Sequence, residues 1–248
     1  MGCCESTQVL PRQLEESSKL GTNRPVTVGL GKHQFIAHKR KSLRSDYTVI
    51  KLLGEGGFGQ VFLVKDKRTG VMKALKEIST SQIDSDQIER VQQEVEILKL
   101  VVKLRQDHPN IMRIHELIQT TRSFCVVSEY LSGGELFSKI VESSSFDETR
   151  AAFYMHEILV ALAYLHEKGI IHRDLKPENI MFDKPGSEGR LKIIDFGVSV
   201  RLKPETDELL EAIGTEFYIA PEVFDNQYNT KADVWSAGVI LYVMLCKK

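Results

Sequence analysis

A short run in the middle of the chain combines a carboxylate, a lysine and an amide at a spacing suited to chemistry. Residues 171–179 read Ile-His-Arg-Asp-Leu-Lys-Pro-Glu-Asn, which places Asp174, Lys176 and Asn179 close together. A carboxylate can take the proton of a hydroxyl, a lysine can neutralise a moving phosphoryl group, and an amide oxygen can bind Mg²⁺. Asp195 opens an Asp-Phe-Gly triplet and offers a second Mg²⁺ ligand. These residues predict Mg²⁺-dependent phosphoryl transfer, with Asp174 and Lys176 as the catalytic pair.

A glycine-rich segment upstream is suited to bind the phosphates of ATP. Residues 54–61 read Gly-Glu-Gly-Gly-Phe-Gly-Gln-Val. Glycines at this spacing let a hairpin lie over a triphosphate and present N–H groups, while Val61 offers an apolar side chain to adenine. A plain glycine-rich hairpin and a dinucleotide-binding turn are the alternatives, but no helix begins at Gly59, which argues against the second. The nucleotide contacts expected here are Leu53, Gly54, Glu55, Gly56, Gly57, Phe58, Gly59 and Val61.

A lysine beneath the glycine-rich segment could hold the α and β phosphates. Lys76 lies on a predicted strand, on the same face as Ala74. Such a lysine needs a carboxylate to fix its position, and Glu94 lies beside the apolar stripe of the next predicted helix. Glu89 and Glu96 are rival partners, and a surface helix rich in ion pairs is the alternative explanation. We expect Lys76 to pair with Glu94.

Patterns of apolar residues predict the elements that carry these groups. Residues 46–77 alternate apolar and polar residues in short runs broken by glycine, which indicates antiparallel strands. Residues 126–135 begin as a buried strand and continue into a glycine-marked hinge, where backbone groups could bond adenine. Residues 149–168 have a helical period that ends at Gly169, a residue suited to a helix C-cap. The buried side chains expected on this helix are Phe153, Ile158, Leu162 and Leu165.

Residues 1–45 form a basic tail with the features of an acylated anchor. Gly2 fits the M-G-x-x-x-[ST] pattern for myristoylation, and the adjacent Cys3 and Cys4 are candidate palmitoylation sites. One myristoyl chain binds membranes with a constant of only about 10⁴ M⁻¹, so a second chain would make attachment lasting. A chance match in a solvated linker is the alternative. We expect a cytoplasmic protein that is peripheral on the cytoplasmic face of a membrane.

The overall composition excludes several other classes of protein. The chain has 248 residues with 33 Lys and Arg against 34 Asp and Glu, and the resulting net charge of −1 gives no reason to expect nucleic acid as a partner. The four cysteines lack the spacing of a disulfide framework or a zinc site. No apolar run approaches the ~20 residues that cross a bilayer. A reducing compartment fits this composition best.

The motifs together resemble those of the eukaryotic protein kinase superfamily over residues 46–248. They occur in the order glycine-rich segment, Ala-x-Lys, helix glutamate, His-Arg-Asp, Asp-Phe-Gly, Ala-Pro-Glu and Asp-Val-Trp. The Lys-Pro-Glu-Asn sequence of the catalytic loop, together with Thr215 and Tyr218, resembles the serine/threonine branch. Within that branch, the Met-Gly-Cys-Cys start and the Ser-Gly-Gly-Glu sequence at 132–135 are similar to the calcium-dependent protein kinases of protists and plants.

This resemblance implies an α+β fold of two lobes. Residues 1–45 would be a flexible tail, 46–130 a small β-rich N-lobe, and 131–248 part of a mainly helical C-lobe. The cofactors implied are ATP and Mg²⁺, and the implied partners are protein substrates. The nucleotide site would also include Ser128, Glu129, Tyr130, Glu135 and Met181.

The resemblance also assigns roles in specificity. Glu135 and Glu178 match positions whose carboxylates receive an arginine of the substrate, which implies substrates with basic residues near the acceptor Ser or Thr. Ordinary surface acidity is the alternative. Ser128 matches the residue that guards the inner adenine pocket, and its small side chain implies sensitivity to bulky inhibitors.

Three residues are implicated in ordering the segment before the Ala-Pro-Glu motif. In many relatives a phosphothreonine lies four residues before the position of Thr215 and pairs with the arginine of His-Arg-Asp. Glu211 occupies that place here. We expect Glu211 to engage Arg173 and to order the segment without phosphorylation.

The chain departs from the family pattern near its end. The sequence stops inside or just after the helix that begins near Asp233, so the C-lobe would be incomplete, and no D-x-[DN]-x-[DN]-G calcium loop is present. We expect this to expose apolar residues of that helix, namely Val239, Ile240, Leu241 and Leu245. The main hypothesis is an active kinase at a membrane surface. The alternative is a truncated, membrane-tethered module that binds ATP or a partner without turnover.

Overall fold

The structure is a computed structural model, and it describes residues 43–56, 59–79, 96–100, 108–120, 123–142, 147–202, 212–226 and 228–246. All of them belong to one compact unit, Ala37–Lys248. Several residues singled out by the sequence lie outside the described residues, and their predicted roles stay predictions. They are Gly2, Cys3, Cys4, Gly57, Phe58, Glu94 and Glu211.

The first half of the described chain forms a five-stranded antiparallel sheet in the order β1-β2-β3-β5-β4. The alternation of apolar and polar residues in 46–77 predicted its first three strands. The α+β class is confirmed, since strands come first and helices dominate later. The elements are α1 (Leu43–Asp46), β1 (Tyr47–Gly56), β2 (Gly59–Asp66), β3 (Met72–Ser79), α2 (described over residues 96–100), β4 (Ile114–Gln119) and β5 (Ser123–Glu129).

The two edges of this sheet are joined through side chains. Tyr47 begins β1 at one edge, and its hydroxyl donates to the carboxylate of Glu116 on β4 at the other edge. The contact is possible because twisted strands curl a sheet and bring side chains of distant strands over the same face. That face is apolar beneath the contact. Its buried residues are Tyr47, Val64, Leu75, Ile118, Cys125 and Val127.

The second half of the described chain contains helices and two small sheets. The β6–β9 and β7–β8 pairs are both antiparallel, and α4 packs against α6. The elements are α3 (Leu136–Glu142), α4 (Glu148–Glu167), β6 (Ile170–Ile171), β7 (Ile180–Phe182), β8 (Leu191–Ile193), β9 (Val200–Arg201), α5 (Pro221–Phe224) and α6 (Lys231–Cys246). None of the helices in the described part of the chain is long and apolar enough to cross a membrane.

The helix α4 has clear start and stop signals. Asp147 caps its N-terminus by accepting the N–H of Arg150 at 2.7 Å, and Gly169 follows its end with a φ of 71° that favours glycine. The prediction that Phe153 is buried is wrong, because Phe153 is 57% exposed and the neighbouring Tyr154 is buried. The buried stripe continues through Ile158, Leu162 and Leu165, and Phe153 lies to one side of it.

The expected exposure of α6 is only partly correct. Leu245 is 45% exposed, as predicted, but Ile240 is completely buried, and Val239 and Leu241 are half-buried. Ile240 faces inward together with Ala237 and Met244, on the side of α6 that packs against α4. The side of α6 that packs against α4 is therefore buried, while residues on its other sides, such as Leu245, are exposed.

The Tyr47–Glu116 contact makes the stability of the sheet sensitive to alkaline pH. Burial raises the pKa of Tyr47, and its hydrogen bond to Glu116 and the charge of that carboxylate raise it further. The folded state therefore keeps the phenol proton of Tyr47 to a higher pH than the unfolded chain does. The contribution of this contact to the free energy of unfolding is fully present below pH ~10, the pKa of an unfolded tyrosine, and is lost as the pH rises above it towards the folded pKa. Replacing Tyr47→Phe should lower the free energy of unfolding by about 1 kcal/mol near neutral pH.

Urea unfolding near neutral pH and at about pH 11 checks this expectation. The wild type should lose more stability between the two conditions than Tyr47→Phe, which serves as the matched variant without the ionisable group. Equal losses in both proteins would contradict it.

Candidate active site

A lysine and a threonine hydroxyl converge on the carboxylate of Asp174. Lys176 Nζ lies 3.0 Å from Asp174 Oδ2 and donates to Thr215 Oγ1 at 2.7 Å. Thr215 Oγ1 in turn donates to Asp174 Oδ1 at 2.6 Å. The structure thus brings together the predicted catalytic pair and Thr215, although Thr215 is about forty positions further along the chain. The cluster holds an aliphatic hydroxyl in the geometry that a general base requires.

Asn179 also contacts the carboxylate of Asp174. Its Nδ2 donates to the carbonyl oxygen of Asp174 at 2.7 Å and to Asp174 Oδ2 at 3.0 Å. The short 3₁₀ turn Pro177–Asn179 places it there, with proline at the position that needs no donor. Both bonds use the amide nitrogen, so the amide oxygen is the atom that could bind a metal ion.

Asp195 and Lys76 form an ion pair between the sheet and the segment after β8. Lys76 Nζ lies 3.1 Å from Asp195 Oδ1, and Gly197 N–H also donates to that oxygen at 3.2 Å. Burial by itself raises the pKa of Asp195, but the charge and hydrogen bond of Lys76, with the Gly197 bond, outweigh it and lower the pKa below its usual value. Asp195 is therefore ionised at neutral pH.

The donor set fits Mg²⁺ bound together with phosphates. Mg²⁺ prefers oxygen ligands and typically takes one or two carboxylates, with phosphates and water as the remainder. Asp195 and the amide oxygen of Asn179 are of this type. Among the described residues, no group of three His, Cys, Asp or Glu could hold a metal ion without such help. The site is therefore suited to a metal that arrives with a nucleotide.

A buried carboxylate on α6 holds the catalytic loop in place. Asp233 is 1% exposed and accepts the backbone N–H groups of His172 and Arg173, both at 2.9 Å. His166 Nε2 lies 2.8 Å from the same carboxylate. In the sequence, Asp233 stood out only as the first residue of the Asp-Val-Trp motif, so its role in holding the loop was not predicted. A carboxylate near the start of a mostly apolar helix was the available signal, because a charged residue needs partners when it is buried.

The backbone of the site contains unusual conformations. Arg173 and Asp195 have backbone φ angles of 68° and 57°, which residues other than glycine rarely adopt. Gly214 has a φ of 143°, and a Cβ there would lie 2.8 Å from the carbonyl oxygen of Arg173. Glycine therefore allows the chain to pass closely enough to bring Thr215 to Asp174.

The predicted nucleotide contacts on the sheet lie on neighbouring strands. On β3, Lys76 is paired with Val61 of β2, and Ala74 is paired with Ser128 of β5. Gly59 has a φ of 121°, and a Cβ there would clash with the carbonyl oxygen of Glu77. Leu53, Gly54, Glu55 and Gly56 complete β1, and Leu53 is partly exposed.

The other predicted nucleotide contacts come from the end of β5 and from β7. Glu129 ends β5 and Tyr130 follows it, while Glu135 forms an isolated bridge with Met181. The structure thus places Glu135 beside Met181 on β7. The side chain of Glu129 points to Lys192 instead, with Lys192 Nζ 2.6 Å from Glu129 Oε1.

The predicted partner of Arg173 is outside the described residues. Within them, Arg173 Nε donates to the carbonyl oxygen of Val198 at 2.5 Å, and Nη1 donates to the hydroxyl of Tyr228 at 3.4 Å. These contacts tie the catalytic loop to the segments before and after the Ala-Pro-Glu motif. The pairing of Arg173 with Glu211 stays a prediction.

The fold and this cluster define a class of protein. A curled antiparallel sheet supplies a lysine to an Asp-Phe-Gly aspartate, and a helical part supplies a loop with Asp174, Lys176 and Asn179. Residues 47–248 match the protein kinase domain family. The chain belongs to this family.

Curated relatives refine the assignment. The chain is 39% identical over 213 residues to calcium-dependent protein kinase 4 of Plasmodium berghei (strain Anka), covering 85% of this chain and 39% of that protein. It is 41% identical over 194 residues to calcium-dependent protein kinase 5 of the same species, covering 78% and 33%. CBL-interacting protein kinase 9 of Oryza sativa subsp. japonica is 40% identical over 205 residues, covering 80% and 43%.

These matches confirm the resemblance to the calcium-dependent protein kinases. The chain spans about two fifths of the length of the curated relatives that it matches.

The small size of Ser128 leads to a prediction about inhibitors. Ser128 is 5% exposed and is paired with Ala74 and with Ile114 in the sheet, and the resemblance implies that it borders the inner part of the adenine site. Replacing Ser128→Met should weaken inhibition by an adenine analogue with a bulky aromatic substituent by at least tenfold, because overpacking a filled site costs ~1–3 kcal/mol. Inhibition of phosphoryl transfer measures this.

The unsubstituted parent analogue is the control, and its inhibition should be similar in both proteins. Equal inhibition of wild type and Ser128→Met by the bulky analogue would contradict the prediction.

Proposed function

We propose that this chain is a serine/threonine protein kinase domain that transfers the γ-phosphate of ATP to a Ser or Thr hydroxyl of a protein substrate. The observation that carries the proposal is the Thr215 hydroxyl held between Asp174 and Lys176 at 2.6 and 2.7 Å. An acceptor hydroxyl needs the same two partners, a base for its proton and a cation for the transferred charge. An aliphatic hydroxyl already fits between them, which favours Ser and Thr as acceptors.

The residues divide the work of transfer between orientation and charge. Asp174 orients the acceptor hydroxyl and accepts its proton, while Lys176 neutralises charge on the transferred group. Lys76 holds the α and β phosphates of ATP. Asp195 and Asn179 would hold Mg²⁺, which neutralises charge between the phosphates when bound. Since phosphoryl transfer depends mainly on alignment and charge, the fixed contacts among these residues supply most of what the protein must provide.

Phosphate transfer to a peptide tests this function directly. The substrate should carry arginine three residues before a single serine, and Asp195→Asn should reduce kcat by at least about a hundredfold because it removes a charge used in the transition state. ATP binding is measured in the same proteins. ATP binding by the wild type with no transfer would favour a binding module instead. Equal turnover in wild type and Asp195→Asn would refute the catalytic assignment.

A preference for basic substrates is the second part of the proposal. Glu178 Oε2 is buried and has no hydrogen-bond partner among the described residues. An unpaired buried carboxylate oxygen is costly, and an incoming guanidinium would satisfy it. Burial raises the pKa of Tyr218 and the charge of Glu178 raises it further, so the charge of Glu178 acts on the segment that follows Thr215. Glu135 is exposed and available as a second acidic contact.

Glu178→Gln should weaken recognition of arginine with little effect on the chemical step. The KM for the arginine-containing peptide should rise about tenfold or more, since a charged hydrogen bond contributes ~1.5–3 kcal/mol. A peptide with alanine in place of arginine should show similar KM values in both proteins. Glu188→Gln is the control because Glu188 is 85% exposed. An unchanged KM for the arginine peptide would contradict the preference.

We further propose that the domain is held on the cytoplasmic face of a membrane by acyl groups. The support is the sequence alone, with Gly2 placed for myristoylation and Cys3 and Cys4 adjacent to it. Two chains are needed for lasting attachment, and the basic residues at 39–41 would add attraction to anionic lipid.

Mass spectrometry and fractionation of the protein from eukaryotic cells test the anchor. Gly2→Ala should remove the myristoyl group and release the protein to the soluble fraction. Replacing Cys3→Ser together with Cys4→Ser should retain myristoylation but weaken membrane association. An unmodified Gly2 in the wild type would overturn the proposal.

A further inference from the structure

An ion pair joins the end of β5 to the middle of β8. Lys192 Nζ lies 2.6 Å from Glu129 Oε1 and 3.4 Å from the carbonyl oxygen of Ile111. The side chains of Lys192 and Glu129 are only 12% and 24% exposed. Little water is therefore left to screen the pair, which makes it stronger than an ion pair on an open surface.

The carboxylate of Glu129 has a fixed orientation. The backbone N–H of Arg113 donates to Glu129 Oε1 at 2.7 Å, and the N–H of Glu129 donates to the carbonyl oxygen of Arg113 at 3.0 Å. These two bonds hold the residue at both its backbone and its side chain. Lys192 therefore meets an acceptor that is already in place, so little conformational freedom is lost in forming the pair.

Both residues are close to the two ends of the expected nucleotide site. Glu129 directly precedes Tyr130, in the segment expected to bond adenine. Lys192 is paired with Met181 in the β7–β8 register and comes three residues before Asp195, the expected ligand of the metal and phosphates. The ion pair thus joins the segment expected to bond adenine to the strand that leads to Asp195.

The backbone of β8 is anchored independently of Lys192. Ile193 N–H donates to the carbonyl oxygen of Asn110 at 2.8 Å, and Met112 N–H donates to the carbonyl oxygen of Ile193 at 2.9 Å. Asn110 Nδ2 also donates to the carbonyl oxygen of Leu191 at 2.9 Å. Loss of the Lys192 charge should therefore leave β8 in place and leave the side chain of Glu129 with its Arg113 contact but without its link to β8.

We propose that Lys192 is a positioning residue that fixes the spacing between the adenine end and the phosphate end of the nucleotide site. The inference rests on the proposed ATP-dependent function. A ligand that occupies both ends gains from a fixed spacing, because the site pays no ordering cost when the ligand binds. A ligand that occupies only the adenine end gains nothing from it. Lys192 therefore favours ATP·Mg²⁺ over adenosine without touching either.

Binding of ATP·Mg²⁺ and of adenosine to Lys192→Met is the test. Methionine keeps the length of the side chain and removes its charge. We expect the Kd for ATP·Mg²⁺ to rise about tenfold and the Kd for adenosine to change less than about twofold. Lys192→Arg should restore most of the ATP affinity, since a guanidinium can still pair with Glu129. The matched control is Lys184→Met, because Lys184 forms an exposed ion pair with Glu188 in the neighbouring turn.

Glu129→Gln keeps the test decisive if Lys192→Met does not fold. This variant should also weaken the binding of ATP·Mg²⁺ more than the binding of adenosine. The double variant, which combines Lys192→Met with Glu129→Gln, should bind ATP·Mg²⁺ no more weakly than whichever single variant binds it less tightly. Additive losses would overturn the proposal, as would an ATP affinity within about twofold of the wild type or equal losses for both ligands. A wild-type protein that binds no ATP·Mg²⁺ would refute the proposed function itself. Wild-type binding with no effect of either variant would refute only this inference.

Discussion

The carboxylate of Asp233 accepts the N–H groups of His172 and Arg173 and contacts the ring of His166, and the catalytic loop depends on this arrangement. A buried carboxylate is costly unless its oxygens are satisfied, so the loop and α6 can adopt only a geometry that supplies these donors. The left-handed conformation of Arg173, which by itself costs ~1–3 kcal/mol, is held by the same contacts. Strain in the loop is thus offset by a charge in the core, and Asp174 is presented on a rigid support.

Opposite charges are paired at the centre of the site. Lys76 pairs with Asp195, and Lys176 pairs with Asp174 and Thr215. These pairs keep the reacting groups pointed inward, so a nucleotide and a hydroxyl exchange partners with them instead of ordering them anew. Glu178 differs, because one of its oxygens is buried without a partner among the described residues. That difference is why it is the stronger of the two acidic candidates for substrate recognition.

Much of the fold follows from local sequence patterns. Alternating residues predicted β1 to β3, and the helical period with a terminal glycine predicted α4 to within about one residue at each end. The wrong placement of Phe153 shows the limit of such patterns, because a large apolar residue next to the buried stripe looks the same in sequence as one within it. Ile240 was expected to be exposed because the sequence stops soon after this helix, and an almost wholly apolar helix does not reveal which side faces the core.

The sequence by itself determined the chemistry of this protein, because residue types at fixed short spacing define what each motif can bind or transfer. Asp174, Lys176 and Asn179 lie within six positions, and their roles could be predicted without coordinates. Only the tertiary structure decided the contacts between distant segments, such as Asp233 with the catalytic loop and Lys192 with Glu129. The physical reason is that an ion pair depends on a distance of a few ångströms across the fold, and sequence separation carries no information about that distance.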